Sequence, residues 1–558
     1  MSAIISDIDK KDSRRIKVFD TTLRDGQQCP GAAMSFENNI RYFRLASKMG
    51  IDIIEAGFPA ASAQDFEIVK TIAEESAAME NSPVIAALCQ LREEQVEKTI
   101  EALKPTIVSG RGRLHTYVPV DPELMAASLG SYNEKREEII KDVYELTKMA
   151  ADAGLEVQFS PEGYSRMGEN FDFTFELIKA AIEGGATIIN CPDTIGGASQ
   201  LQGKDYFVEH MKRHRDMIEE IFPNKEICWS VHCHNDFGLA VQNTINAVFD
   251  GVATQIEGCI NGVGERAGNA SIEQCIMIID QFGNRTEQGC QSFYTEANLK
   301  MIQEVSDFIG EYMLKRQPHW PVTGDNAARH SSGGHTNAIL KNPMAYQPFD
   351  PRRVGKEISF TFGPLSGGNH ARSVIENHGY ICEESEKAAI AQFIKDQTRA
   401  RRKGISDDEL IKQYFSYRQP MQIDSVDYSR QGKCSKVTLE GTFFGKKGCF
   451  EGEHSGNDSA LAALKKLVES EFGETRIIRH ESYSDSSGIN AHSVSTIILE
   501  DEFGFRTEGQ AKNQDIEISA LYAYIDAVNK SYVYRNFARE RKGAASTTAG
   551  AVAVSATA

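Results

Sequence analysis

From residue 16 onward, short β-branched apolar runs alternate with longer stretches that carry apolar residues at helical spacing. The runs are IKVFD (16–20), IDIIEA (51–56), PVIAAL (83–88), RLHTYV (113–118), LEVQFS (155–160), ATIINC (186–191), CWSVHC (228–233) and TQIEGCI (254–260). Helices are predicted between them, for example over 35–49, 91–103, 134–153 and 171–183, with Gly50 and Gly154 closing two of them. Eight βα units in about 270 residues predict an α/β chain whose residues 14–285 form a closed (β/α)8 barrel. An open doubly wound sheet is the alternative that the same pattern allows.

Further along, residues 430–535 repeat one layout twice. VTLEGTFFGKKGCFEGEHSGNDSALAALKKLV and STIILEDEFGFRTEGQAKNQDIEISALYAYIDAV each hold two strand-like runs, an Glu-Gly step, a polar loop and an amphipathic helix. Glu451-Gly452 falls on Glu508-Gly509 and Asp458 on Asp515, which predicts a pseudo-symmetric α+β module over 426–540. Residues 286–425 read as a helical linker region, and the small, low-complexity tail 541–558 reads as disordered.

In a barrel, chemistry sits at the C-terminal ends of the strands. The polar clusters of this chain fall there: DTTLRDGQQ at the end of strand 1, EAGFPAAS of strand 2, SPEGYSR of strand 5, HCHND of strand 7 and NGVGERAGN of strand 8. Closure puts strand 8 beside strand 1 with strand 7 beyond it, so Asp25, His232, His234 and Asn269 can converge. A carboxylate, two imidazoles and an amide suit a divalent cation of borderline to hard character. Taken alone, HxH on a strand is more often a buried polar pair than a metal site, and Asp20, Arg24 and Asp25 could form a solvated turn; their common placement on one rim favours the metal.

The net charge of −18 argues against nucleic acid as a partner, and no apolar run of 18 residues is present to cross a membrane. The first fifteen residues lack the apolar core of a secretory signal. Eleven cysteines without CxxC spacing, among them Cys89, Cys191 and Cys228, read as reduced thiols of a cytoplasmic protein.

FDTTLRDGQQ (19–28), IEAGFPAAS (54–62), HCHNDFGLAVQNTINAV (232–248) and INGVGERAGN (260–269) together resemble the 2-isopropylmalate synthases. These belong to a wider group of metal-dependent condensing barrels with homocitrate, citramalate and re-type citrate synthases and a related lyase. The resemblance implies acetyl-CoA and a 2-oxo acid as substrates, condensed in a Claisen reaction. It implies Mg, Mn or Zn at Asp25, His232, His234 and Asn269, with potassium as an activator. Arg24 then stabilises charge on the substrate oxygen, while His335 is the first candidate for general base and Glu162 the second. His115, Thr194 and His330 match substrate-contacting positions. The segment ARHSSGGHTNAILKNPMAY (328–346), with His330 and His335, looks like one that reaches a partner subunit's active site, so a homodimer or higher oligomer is expected. The C-terminal repeat resembles the family's leucine-binding feedback domain.

Two departures bear on the acceptor. After strand 4 the family's later Thr, Ser and His positions hold Val120, Asp121 and Leu124, and Gly197 stands where an aromatic is usual. The leading acceptor is 3-methyl-2-oxobutanoate. A 2-oxoglutarate-using sister would need a further cation, for which Arg111, Arg113 and Arg166 are candidates. A lyase, a non-catalytic sensor and a biotin-dependent carboxyltransferase are weaker alternatives.

Overall fold

The computed structural model describes residues 12–363, 367–401, 404–456, 459–485 and 491–537. The expected tail and Asp458 lie outside the described residues. Two compact units are present, Met1–Arg329 with Gln347–Ile358, and His330–Tyr346 with Ser359–Ala558.

The first unit is built on eight parallel strands: β1 (Lys17–Asp20), β2 (Ile53–Glu55), β3 (Val84–Gln90), β4 (Gly112–Pro119), β5 (Glu156–Glu162), β6 (Ile188–Asp193), β7 (Cys228–Cys233) and β8 (Gln255–Gly258). They close into a barrel, β8 pairing with β1 through Lys17↔Gln255 to Asp20↔Gly258. The doubly wound alternative is therefore excluded. Strands buried on both faces read as near-continuous apolar runs, which is why all eight stood out in the sequence. Helices pack outside, each apolar stripe turned to the strands. Ser35 caps Phe36–Met49 by accepting from the Asn38 amide, and Gly50 ends that helix with φ 80°. Gly154, with φ 90°, follows the Arg136–Asp152 helix in the same way.

The barrel axis is unusually polar. Inward positions recur every second residue along a strand, and here they carry Arg113, His115 and Tyr117 on β4, Gln158, Ser160 and Glu162 on β5, Ser230 and His232 on β7, and Gln255 and Glu257 on β8. Arg113 is fully buried and donates to Gln158 at 3.0 Å, Gln255 at 2.8 Å and Glu156 at 2.8 Å. A buried guanidinium is tolerated only when its charge and donors are met in this way.

The second unit carries helices Gly333–Lys341, Gly368–Asn377, Lys387–Arg401 and Asp407–Arg418, and then the repeated module. Each half of the module has three antiparallel strands where two runs were expected: β9 (Met421–Gln431), β10 (Cys434–Phe443) and β11 (Lys446–Ser455), then β12 (Thr475–Ser484), β13 (Ser493–Asp501) and β14 (Arg506–Asn513). The added strands β9 and β12 are edge strands with polar, largely exposed sequences, and each has a bulge after its third residue, at Ile423 and Ile477. Helices Ala460–Phe472 and Ile516–Phe537 cross the sheets at the two aligned glycines. A methyl on Gly452 would meet the Ala463 carbonyl, and one on Gly509 would overlap that of Ala523. The pseudo-symmetry extends to the strand starts. Glu469 of the first helix accepts from the Thr475 amide at 2.7 Å, opening the second sheet. Asn529 of the second helix accepts from the Met421 amide at 3.1 Å and donates back to its carbonyl at 2.9 Å, holding the first sheet. One apolar core, including Val437, Leu464, Leu499 and Tyr524, serves both halves.

No helix among the described residues is long and apolar enough to cross a membrane, and all eleven cysteines are free thiols.

Candidate active site

At the C-terminal rim of the barrel, Asp25, His232 and His234 are buried and offer ligand atoms within 4.8 Å of one another. His232 ends the inward row of β7, whereas His234 lies just past the strand and is held by an antiparallel bridge to Asn269. That bridge is continued by Asn235 N–H donating to the Gly268 carbonyl and Ala270 N–H to that of Cys233, both at 2.9 Å. The glycine-rich loop after β8 can fold this tightly because Gly264 and Gly268 take positive φ, and a methyl on Gly264 would overlap the Asn269 amide.

Asn269 Nδ2 donates to Asp25 Oδ1 at 2.6 Å, to Val263 O at 3.1 Å and to Cys259 Sγ at 3.3 Å. Its Oδ1 is buried and without a partner, as is Nδ1 of His234. Orphaned buried acceptors are rare in folded proteins unless a ligand meets them. With a carboxylate and two imidazoles at this spacing, the donor set fits a divalent cation. Burial works to raise the Asp25 carboxyl, but Arg24, His232 and His234 outweigh it and keep it below the usual carboxylate range. Burial, helped by the charge of His232, brings His234 down to about 4. Both directions favour the ligating forms, carboxylate and neutral imidazole.

Arg24 is held by two carboxylates. Its Nη1 donates to Asp25 Oδ2 at 2.6 Å and its Nε to Glu55 Oε2 at 2.6 Å. Glu55 also accepts from Thr21 Oγ1 at 2.6 Å and receives His115 Nδ1 at 2.6 Å. The chain continues through Ser160 Oγ, 2.7 Å from His115 Nε2, to Asn190 Nδ2, which donates to Ser160 at 2.9 Å. With Glu55 ionised, His115 donates from Nδ1. Burial tends to raise Glu55, yet Arg24 and His115 bring it down to about 2.

Glu162 ends β5, and burial raises its carboxyl against the opposing field of Arg24. Thr194, directly after β6, accepts the Gly163 amide at 2.9 Å and so ties the rims of β5 and β6. Arg266 bonds the Thr194 carbonyl at 2.7 Å and pairs with Asp236 at 2.9 Å, bringing the loop after β8 into the same rim. His330 and His335 belong to the second unit, where His335 lies on Gly333–Lys341 with its ring stacked 3.9 Å from that of Tyr346 and 6.3 Å from that of His330.

The altered loop after β4 has a structural reason. Asp121 caps Pro122–Ser128 by accepting from Glu123 N at 2.9 Å, and its other oxygen pairs with Arg166. All three cations considered for a distal carboxylate are engaged. Arg166 is bound to Asp121 and Glu123, Arg113 lies deep in the barrel, and Arg111, preceding β4 at the opposite end, donates to Met79 O at 2.9 Å.

Glu55, Ser160, Asn190 and Glu257 were not singled out in the sequence. Their signal was a polar residue within an otherwise apolar run, as in IIE (53–55), QFS (158–160), IIN (188–190) and QIE (255–257).

The HMGL-like family matches residues 15–309, and the homocitrate synthase post-HMGL domain-like family matches residues 322–402. The chain is 35% identical over 387 residues to 2-isopropylmalate synthase of Saccharolobus solfataricus, covering 69% of this chain and 91% of that one. With the 2-isopropylmalate synthase of Chromobacterium violaceum it shares 32% identity over 526 residues, 92% of this chain and 97% of the relative. A solved HMG-CoA lyase from Bacillus subtilis aligns at 17% identity with a TM-score of 0.43, covering 55% of this chain and 96% of that one.

Proposed function

Because the chain belongs to the 2-isopropylmalate synthases, condensing enzymes that join an acyl-CoA to a 2-oxo acid, we propose that its barrel rim runs that reaction with the residues described above. The condensation takes acetyl-CoA, 3-methyl-2-oxobutanoate and water to 2-isopropylmalate and free CoA, a step of leucine biosynthesis. The observation that carries the assignment of roles is the buried trio Asp25, His232 and His234, with Asn269 on the carboxylate and Arg24 beside it.

A divalent cation, Mg, Mn or Zn, held by these four residues would polarise the acceptor's ketone as a Lewis acid. Arg24 stabilises the negative charge that develops on the ketone oxygen. It is suited to this because Glu55 and Asp25 fix its guanidinium before substrate arrives, so no reorganisation is needed in the transition state. His115 and Thr194 face the acceptor, His115 locked in one tautomer by Glu55. A base removes a proton from the acetyl methyl, and the resulting carbon attacks the ketone carbon; hydrolysis of the thioester then releases the thiol. His335 of a partner subunit is the base that the resemblance supports, with His330 beside it in binding. Glu162 is the alternative, standing at the strand rim with its carboxyl raised by burial against the field of Arg24. The engagement of Arg111, Arg113 and Arg166 leaves none of the three for a second carboxylate, which favours an acceptor with an apolar side chain. The repeated module is the place for leucine to act, and the working form is a homodimer or larger.

The test is CoA release with acetyl-CoA, Mg2+ or Mn2+ and a panel of 2-oxo acids, with and without leucine. Release that requires 3-methyl-2-oxobutanoate and stops with chelator is expected. Release with pyruvate or 2-oxoglutarate instead would move the chain to a sister synthase, and release with neither would remove the synthase reading.

A further inference from the structure

Glu257 lies below the rim, one layer into the barrel, and its two carboxylate oxygens have different surroundings. Oε1 accepts three hydrogen bonds, from Ser230 Oγ at 2.7 Å, Gln158 Nε2 at 2.8 Å and Gln255 Nε2 at 3.1 Å. Oε2 is buried and accepts none. Facing it at 3.7 Å is Nδ1 of His232, equally buried and equally without a hydrogen bond. That separation is too long for a hydrogen bond and too short to admit a water. The two unpaired atoms, one able to donate and the other to accept, face each other across that gap.

We propose that Glu257 is a positioning residue that accepts the hydrogen bond of the Nδ1 proton of His232 and so presents the opposite ring nitrogen, Nε2, to a divalent cation. The inference rests on the metal reading given above. Its physical basis is tautomer control: a neutral imidazole carries one proton, and whichever nitrogen holds it cannot ligate. A carboxylate at Nδ1 keeps the proton there, orients the ring and raises the basicity of the ligating nitrogen. Three donors on Oε1 fix the carboxylate so that Oε2 has one direction to point. Two of those donors, Gln158 and Gln255, are in turn held from beneath by Arg113, and Gln255 donates to the third, Ser230, at 2.9 Å. The polar column along the barrel axis therefore ends at a metal ligand, which accounts for a buried guanidinium and two glutamines in a place where barrels ordinarily pack aliphatic side chains.

The arrangement makes a nearly isosteric change severe. In Glu257→Gln the amide oxygen is claimed by the three donors, so the amide NH2 faces His232. Two donors cannot share the contact, and His232 is driven to the tautomer protonated at Nε2. Mn2+ affinity of the full chain, measured by calorimetry, should fall 10- to 100-fold in Glu257→Gln, with the thermal melting curve of the metal-free protein kept as the check on folding. Glu257→Asp, which retains a carboxylate, should recover part of the loss. Should Glu257→Gln fail to fold, 15N spectra of the histidine-labelled parent decide, His232 being assigned by the signal missing from His232→Asn. A proton on Nδ1 and a shift of Nε2 on adding Zn2+ are expected. A parent that binds no Mn2+ would remove the metal reading and this one with it. A parent that binds Mn2+ while folded Glu257→Gln binds within twofold of it, or an Nε2 proton on His232 of the parent, would overturn the role of Glu257 alone.

Discussion

Arg24 and Glu55 meet at 2.6 Å across the first two strands of the barrel, and the same guanidinium reaches Asp25 at 2.6 Å on its other side. The cation is thus clamped between two carboxylates, both held in ionised form: Asp25 below the usual range and Glu55 at about 2. A planar, two-sided donor is what this clamp requires, and a lysine could satisfy one side only.

Arg24→Lys and Glu55→Gln should each lower kcat by roughly 100- to 1,000-fold, the scale for loss of one fixed charge-stabilising donor. The KM for acetyl-CoA should move little. Steady-state kinetics on both variants checks this, and an unchanged kcat in Glu55→Gln would remove the clamp as a source of rate.

Asp25→Asn keeps the shape of the side chain but removes the charge that binds both Arg24 and the proposed cation. CoA release should disappear, and neither excess Mg2+ nor excess Mn2+ should restore it. The unaltered chain treated with EDTA should lose activity and regain it on adding either ion. Parallel assays of variant and chelated parent separate loss of the site from loss of its occupant.

His214 gives a pH dependence away from the reaction. Its Nε2 donates to Phe171 O at 3.2 Å, its Nδ1 accepts from Tyr164 at 2.8 Å, and its ring stacks 4.0 Å from Phe171, so it is satisfied as a neutral ring. Burial, opposed by the bond to Phe171, lowers it to about 3. The unfolded chain, with histidine near 6.5, binds this proton more readily. Stability is therefore complete above about pH 6.5 and is lost as pH falls toward 3. This one group should cost about 2 kcal/mol between pH 7 and pH 5. Other buried histidines, His234 and His370 among them, add to the same trend, so denaturant unfolding at the two pH values should show a loss smaller by about that amount in His214→Gln than in the parent.

Mixing inactive Asp25→Ala with inactive His335→Ala subunits should recover part of the activity if each supplies what the other lacks. Recovery after co-refolding, assayed by CoA release, is the expected result; its absence would confine each site to one subunit.

In the repeated module, Gly509→Ala places a methyl against the Ala523 carbonyl and the Ala527 amide. The helix must lift from its sheet, at a cost of about 1–3 kcal/mol. Calorimetry should show a lowered transition for the module, and leucine sensitivity should fall while CoA release without leucine persists.

The eight strands were legible because each is buried on both faces and reads as an apolar run. The trio proposed to hold the cation was legible because HxH closes one such run and the Asp of TTLRD follows another within five residues. What the sequence concealed was of two kinds. Edge strands β9 and β12, MQIDSVDYSRQ and TRIIRHESYS, present most of their side chains to solvent and carry a bulge that breaks the alternation, so their period is blurred. The supporting residues Glu55, Ser160, Asn190 and Glu257 appear as single polar letters inside apolar runs. Nothing local separates them from ordinary interruptions until closure of the barrel brings four strands onto one axis.

The crossed attachments of Glu469 to Thr475 and of Asn529 to Met421 make the duplicated module a single cooperative object. Either half produced by itself would lack the side chain that anchors its opening strand and would expose the core it shares with its twin. The last helix also closes a second core, through Val533 against Phe362, Tyr380 and Tyr414, so the module is tied in turn to the helices that precede it. A disturbance that loosens one helix releases the edge of the opposite sheet, so the two halves order and disorder together.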